Sequence, residues 1–334
     1  MKSNLQPLTI TDRVYGEQTI TEPVLLELIA THALQRLKGV DQAGYFEPYF
    51  PGTQHSRYEH SLGVCLLLRI YGAPLEEQIA GLIHDASHAT FSHCIDYALE
   101  EGSEKTLSYQ DDIHESYVLS TDIPHILIRY GIDPTYILDD SHFPLKENLL
   151  PDICADRIDY SLRGARVYGI SSQEENDMLL QNLTVEQGKW IFRTYESAKL
   201  FAEKFKTLND VYWSGIPTLL MFRTVGDYIK YALSRAYITH ADLFTTDTEV
   251  LTKISHYLDT DPHLQKLFKR LNRQAPYSLE CGSDITKVFC KSRVVDPPCF
   301  SENKQCRVSD IDPSWNAVVE QDIQPKEYCL TFLD

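Results

Sequence analysis

The sequence predicts a mainly α-helical fold with a small mixed α/β region at its C-terminal end. Three observations carry this. Apolar residues recur at helical spacing through the first two-thirds of the chain. After about residue 240 the texture changes, and Glu280–Asp296 alternates and is rich in β-branched residues, as a strand pair is. The composition, 43% hydrophobic and 24% charged, is that of a globular chain and excludes a disordered, collagen-like or purely coiled-coil one.

Taken in order, the elements follow from local chemistry. Thr21-Glu22-Pro23 begins the first helix, with Thr21 placed to cap it, Pro23 in the first turn and Leu25, Leu26 and Ile29 on one face. Arg57–Tyr71 is apolar enough for a buried helix. Pro74–Leu99 carries helical periodicity through Ile79, Leu82 and Ile83, then loosens at Ala86–Ser92. Glu100–Asp112 reads as an exposed connection. Leu149–Val167 and Lys204–Tyr237 read as helices, the second broken at Gly215-Ile216-Pro217. Pro297-Pro298 ends the alternating stretch, and Glu327–Leu333 reads as a last strand. The expected division is a helical domain over 1–240 and an α/β appendage over 241–334.

Acidic residues outnumber basic ones by 48 to 31, giving a formal charge of −17. Such a surface repels phosphate backbones and anionic lipid unless basic residues gather in one place, so neither nucleic acid nor membrane is the expected partner. The apolar runs Val24–Ala30 and Leu62–Leu68 fall short of the roughly 18–20 residues that cross a bilayer. The N-terminal MKSNLQPLTITDRVYGE lacks the apolar core of a signal peptide, which makes the cytoplasm the expected location. The eight cysteines are widely spaced and form no CxxC pair, so reduced thiols are expected rather than a zinc site.

Six of the 12 histidines lie between positions 55 and 114: His55, His60, His84, His88, His93 and His114. His84 and Asp85 form an adjacent nitrogen and oxygen donor pair behind the apolar Ile79–Ile83, where a buried imidazole and carboxylate need partners. His84 and His88 share a face if the helix runs on to residue 88. Imidazole with carboxylate suits a divalent transition metal whose remaining positions stay open. His32 and His55 read as surface or capping residues, and Arg57 has Glu59 and Glu77 as ordinary pairing candidates.

The words FPGTQHSRYEHSLGV, GLIHDASHATFSH, HES and CADRIDYSLRGA, in this order, resemble the HD-domain metal-dependent phosphohydrolases. The likeness is nearest to the deoxynucleoside triphosphate triphosphohydrolase branch, and ITDRVYGEQTI with LQRLKGVDQ extends it over residues 10–235. The resemblance implies an HD-domain helical core and metal ligation by His60, His84, Asp85 and Asp156. The ion would be manganese, iron, zinc, nickel or cobalt, with magnesium as a second ion. It implies proton transfer and phosphate contact by His88 and His114. Phosphate-binding roles fall to Arg57 and Arg157, pocket roles to His93 and Tyr160, and a sugar contact to Gln42. Asp159 is expected to orient a neighbour. A small phosphate substrate, a nucleotide above all, and a homo-oligomer are further implications.

The chain also departs from that branch. Gly164 stands where those enzymes place an aspartate that reads the sugar 3′-hydroxyl, and Ala30 where an aspartate reads guanine in the allosteric site. WSGIPTLLMFRTVGDY is mostly apolar, with Arg223 its only basic residue. Four readings therefore stand: a triphosphohydrolase-like enzyme in which metal-activated water attacks phosphorus; a phosphatase or phosphodiesterase on another small ester; a di-iron oxygenase using His88 and His114 as extra ligands; and a non-catalytic nucleotide sensor. Lys291 and Arg293 in KVFCKSRVVDP read as bordering a partner's pocket.

Overall fold

The computed structural model describes residues 6–280, 286–302 and 304–334. A hairpin, Leu8–Asp12 with Gly16–Ile20, leads into helix Pro23–Ile29, where Glu22 rather than Thr21 takes the capping position and Pro23 opens the first turn. Two helices form the centre, Arg57–Ile70 and Leu75–Ile83, capped in the first case by Ser56, whose side chain accepts from the Glu59 amide. Helix Ala155–Val167 packs across Arg57–Ile70 at a glycine: a Cβ on Gly63 would lie 2.0 Å from Asp159 Oδ1, so only glycine permits that approach. Helices Tyr109–Leu119, Tyr195–Leu208 and Ile216–Ser234 are among those packed around this centre. No described helix is long and apolar enough to cross a membrane.

The residues after 240 pack on this frame. Helices Asp247–Ser255 and Pro262–Leu271 bury Val250, Ile254, Leu264, Leu267 and Leu271 in one apolar cluster with Leu219, Met221 and Phe222. Strand Thr286–Cys290 pairs antiparallel with Lys326–Phe332, which adds Val288 and Leu330 to that cluster. The expected strand pair within Glu280–Asp296 is thus a single described strand whose partner lies 40 residues on, while residues 291–297 run without a sheet partner; residues 281–285 lie outside the described ones. Leu149–Val167 is helical only from Ala155.

A four-stranded sheet joins both parts of the chain. Leu183–Glu186 and Lys189–Phe192 form a hairpin through Gln187 and Gly188, both at positive φ, and Phe192 pairs with Cys299 of strand Pro298–Ser301. Among the described residues six thiols are free, but Cys329 is disulfide-bonded, against the expectation of reduced thiols throughout.

A second apolar cluster surrounds Leu62–Leu68 and Ile79–Ile83. The functional cavity opens where the two clusters meet, with Tyr160 and Leu150 packed on one and Phe222 and Tyr168 on the other.

Candidate metal centre and substrate cavity

Helix Arg57–Ile70 presents His60, the end of helix Leu75–Ile83 presents His84, and the first turn of helix Ala155–Val167 presents Asp156. Their donor atoms converge. His60 Nε2 lies 2.9 Å from Asp156 Oδ1 and 3.2 Å from His84 Nε2, and His84 Nε2 is 3.4 Å from the same oxygen. Asp85 stands beside them, 3.4 Å from His84 Nε2 and 3.7 Å from His60 Nε2. The other ring nitrogens fix the tautomers. His60 Nδ1 donates to Asp159 Oδ2 at 2.7 Å and His84 Nδ1 to the Gly81 carbonyl at 2.8 Å. Two Nε2 lone pairs thus face one another and a carboxylate, a donor set that fits a divalent cation.

Without an ion, the same contacts keep the carboxylates charged and put on His60 a proton that a bound cation would displace. Burial alone would raise the Asp85 carboxyl, but Arg57, His84 and His88 hold it well below the usual carboxylate range. Asp156 is likewise held low, against its burial, by the neighbouring His60 and His84. Burial would lower His60, yet Asp156, Asp159 and Asp85 raise it to about 9. Glu147, Cys154 and Asp156 also converge, but the Arg157 guanidinium already lies 3.0 Å from Glu147 and 3.1 Å from Cys154 Sγ.

The helix carrying His84 ends at Ile83, so His84 and His88 do not share a helix face. A turn instead brings His88 Nε2 within 3.3 Å of Asp85 Oδ1. Arg36, nearly fully buried, braces this turn by donating to the Ala86 and His88 carbonyls and to Tyr117 Oη of helix Tyr109–Leu119. His114 of that helix donates through Nδ1 to Ser87 Oγ, whose own proton goes to the Gln110 carbonyl, leaving His114 Nε2 as a lone-pair nitrogen. Burial and nearby Arg57 lower His88 to about 4, and burial and Lys146 lower His114 to about 4. Both imidazoles are therefore neutral near pH 7.

These residues line a cavity of about 550 Å³, within the range of small-molecule sites. Gln42, Arg57, His93, Arg157 and Tyr160 line it too. Arg57 pairs with Asp85 at 2.8 Å and with Ser92 Oγ at 2.9 Å, not with Glu59 or Glu77. Ser92 sits at positive φ, and the turn is held by the Asp247 carboxylate accepting from the Phe91 amide. Arg157 is turned into the protein: Nη1 donates to the Asn148 and Asp152 carbonyls, which consumes the group expected to reach a phosphate. Gln42 Oε1 and His93 Nδ1 have no hydrogen-bond partner among the described residues.

Sequence reasoning missed the aromatic part of the lining. His55 is buried, not a surface residue, stacks on Phe46 and meets Tyr168, which lies 3.8 Å from and parallel to Tyr212. Gly164 lines the cavity beside these rings, where a side chain would meet Tyr168. The single π-type turn Asn209–Trp213 delivers Tyr212 and Trp213 to the wall. Lys291 and Arg293 line the same cavity, so they border this chain's own pocket.

No protein-family profile matches the chain. Relatives are informative. A Bacillus subtilis protein, the uncharacterized YdhJ, is 33% identical over 309 residues, 91% of this chain and 92% of its own. The metal-dependent phosphohydrolase cns2 of Cordyceps militaris is 29% identical over 327 residues, 95% and 93% of the two chains. A Dictyostelium discoideum homolog of the deoxynucleoside triphosphate triphosphohydrolase SAMHD1 is 25% identical, covering 94% of this chain and 66% of its own. The chain belongs to the HD-domain metal-dependent phosphohydrolase superfamily. Solved structures of a hypothetical Aquifex aeolicus protein (TM-score 0.72, 18% identity, 98% and 97% coverage) and a Bacteroides thetaiotaomicron phosphohydrolase (0.71, 16%, 96% and 99%) share its fold.

One buried pair in this HD-domain hydrolase makes its stability depend on pH. Burial and the neighbouring Asp247 push Asp41 up to about 8, and burial pushes Asp247 up to about 7. Asp41 Oδ1 accepts no hydrogen bond, whereas both Asp247 oxygens accept from backbone amides of Asp41 and Phe91. The folded state thus holds protons that the unfolded chain releases near pH 4, so the pair's contribution to stability falls as pH rises from about 4 to about 8, by up to about 1.4 kcal/mol per pH unit for each proton. Buried His88 and His114, held neutral, act in the opposite direction below about pH 6.5, so the pair's share is read by difference: from pH 5 to pH 8 the parent is expected to lose stability relative to Asp41→Asn in denaturant unfolding. An equal slope in the variant would exclude Asp41 as the source of that loss.

Proposed function

We propose that this hydrolase is an HD-type enzyme that cleaves a nucleotide at a phosphate bond, with His60, His84, Asp85 and Asp156 holding a divalent ion such as manganese. The observation that carries the reading is the mixed lining of one cavity: metal donors and cations together with the aromatic rings of His55, Tyr168 and Tyr212. A nucleotide matches that combination, since its base offers a π-face for stacking and its phosphates offer anionic oxygens. The name of the Dictyostelium relative, a deoxynucleoside triphosphate triphosphohydrolase homolog, agrees with that class.

When bound, the ion supplies Lewis-acid polarisation of a phosphoryl oxygen and lowers the pKa of water. The chain's residues do the rest. His114 Nε2, neutral and carrying its lone pair, is able to accept a proton at pH 7, while His88 donates to Asp85 and holds it in place. Arg57, fixed by Asp85 and Ser92, keeps positive charge beside the reacting phosphate. The Gln42 oxygen is a free acceptor for a sugar hydroxyl.

The test is mass-spectrometric product analysis with manganese or magnesium over a panel of ribo- and deoxynucleotides, with Asp85→Ala as control. Nucleoside plus intact triphosphate is the expected product pair, absent in the control. Monophosphate products would instead make the protein a pyrophosphatase or diesterase. No turnover of any nucleotide, or full activity in Asp85→Ala, would overturn the reading.

A further inference from the structure

Five cations line the cavity: Arg57, Lys146, Arg157, Lys291 and Arg293. Three are already engaged. Arg57 holds Asp85 and Ser92, Lys146 pairs with Asp140, and Arg157 is spent on Glu147, Cys154 and two carbonyls. Lys291 and Arg293 are different: no described group accepts a hydrogen bond from, or forms an ion pair with, either side chain. Both are half-buried, so their charge is neither paired nor fully solvated.

Their placement is built, not incidental. Burial alternates along this stretch, with Ser292 and Val294 inside and Lys291 and Arg293 toward the cavity, the pattern of an extended segment. The fully buried Asn209 clamps it: its Oδ1 accepts from the Arg293 amide at 2.8 Å and its Nδ2 donates to Ser292 Oγ at 3.0 Å. Asn209 also begins the π-type turn that carries Tyr212 and Trp213 into the same cavity. That turn is tied in turn to the last strand, Asp210 pairing with Lys326 at 2.8 Å and the Ser214 carbonyl accepting from Tyr328 Oη at 2.6 Å.

We infer that Lys291 and Arg293 form a second anion subsite, which selects substrates carrying a further phosphate beyond the one held at the metal donors. This rests on the phosphohydrolase reading of the cavity. Side chains two residues apart on an extended segment are roughly 6–7 Å apart, so the pair spans more than one phosphoryl group. The charge environment fits. Burial and the adjacent Arg293 lower Lys291 to about 8, and burial lowers Arg293, the state of two cations that lack a counter-ion. Asp111 and Asp96 offset Lys291 only at a distance, and Tyr160 and Asp156 do the same for Arg293. A polyphosphate tail supplies the missing negative charge, and charge-assisted hydrogen bonds make the selection steep. The region after residue 240 is then part of the binding machinery.

The test uses the full chain loaded with manganese, magnesium in excess over the anion, and bound metal measured after each titration. Calorimetry compares inorganic phosphate with inorganic tripolyphosphate. Tripolyphosphate is expected to bind roughly 10- to 100-fold more tightly. Arg293→Ala and Lys291→Ala are each expected to lower its affinity about tenfold while phosphate affinity, metal content and melting temperature stay near those of the parent. Arg293→Lys, which keeps the charge, should recover part of the loss. Equal affinity for the two anions in the parent, no change in the variants, or equal weakening of both anions would overturn the subsite. Tripolyphosphate selectivity without turnover of any nucleotide would leave the subsite standing and overturn the enzymatic reading. Binding of neither anion by metal-loaded protein would overturn both.

Discussion

Asp156→Ala is expected to abolish metal retention and, with it, activity. Asp156 Oδ1 lies 2.9 Å from His60 Nε2 and 3.4 Å from His84 Nε2, and its removal takes the anion away from two imidazole donors on that side. Loss of an outer-shell partner alone costs about 10–100-fold in metal affinity, and loss of a ligand costs more. Two readouts separate this from unfolding. Metal content after dialysis should fall to background in the variant. Added manganese should stabilise the parent by RT ln(1 + [L]/Kd), about 2.7 kcal/mol at 100 times Kd, and leave the variant's melting temperature unmoved. A variant that keeps its metal and its manganese-dependent shift would remove Asp156 from the centre.

How much of this was legible in the sequence depends on the distance over which each feature is decided. His84 and Asp85 were visible because both the donors and the apolar Ile79–Ile83 that buries them are local. The helical class was visible for the same reason. His60 and Asp156 needed the ordered set of flanking words, since 96 residues separate two side chains whose atoms lie 2.9 Å apart. The ending of the helix at Ile83 was hidden, because His84 continues the apolar pattern while its Nδ1 turns back to the Gly81 carbonyl. The same limit applies to Arg157. Its sequence neighbours Asp156 and Tyr160 face the cavity, and only the folded loop 148–154 shows that its donors are spent. The hairpin at Gln187-Gly188 did carry a local signal, in LTVEQGKWIF, that a reading for helices passed over. KVFCKSRVVDP did single out Lys291 and Arg293, but for a partner's pocket; that they line this chain's own is decided by Asn209, some 80 residues earlier.

Asp159 is where stability and metal affinity should come apart. Fully buried, it accepts from His60 Nδ1 at 2.7 Å, Tyr15 Oη at 2.9 Å, and Arg163 Nε and Nη2 at 3.0 and 2.8 Å. Arg163, equally buried, reaches on to Asp12 at 3.0 Å in the opening hairpin. Burial would raise the Asp159 carboxyl, but Arg163 and His60 hold it down at about 2, so it stays charged. Asp159→Ala strands a buried guanidinium on one remaining partner and is expected to cost about 3–5 kcal/mol in urea unfolding. It also frees the His60 ring, which should cost about 10–100-fold in manganese affinity. The double variant Asp159→Ala with Arg163→Met removes the stranded charge along with its partner and should regain part of that stability, because buried ion pairs contribute little net energy once both ends are gone. Metal affinity should stay low in the double variant, since nothing then fixes His60 Nδ1. If affinity returned together with stability, Asp159 would be acting on the fold alone and not on the orientation of the ligand.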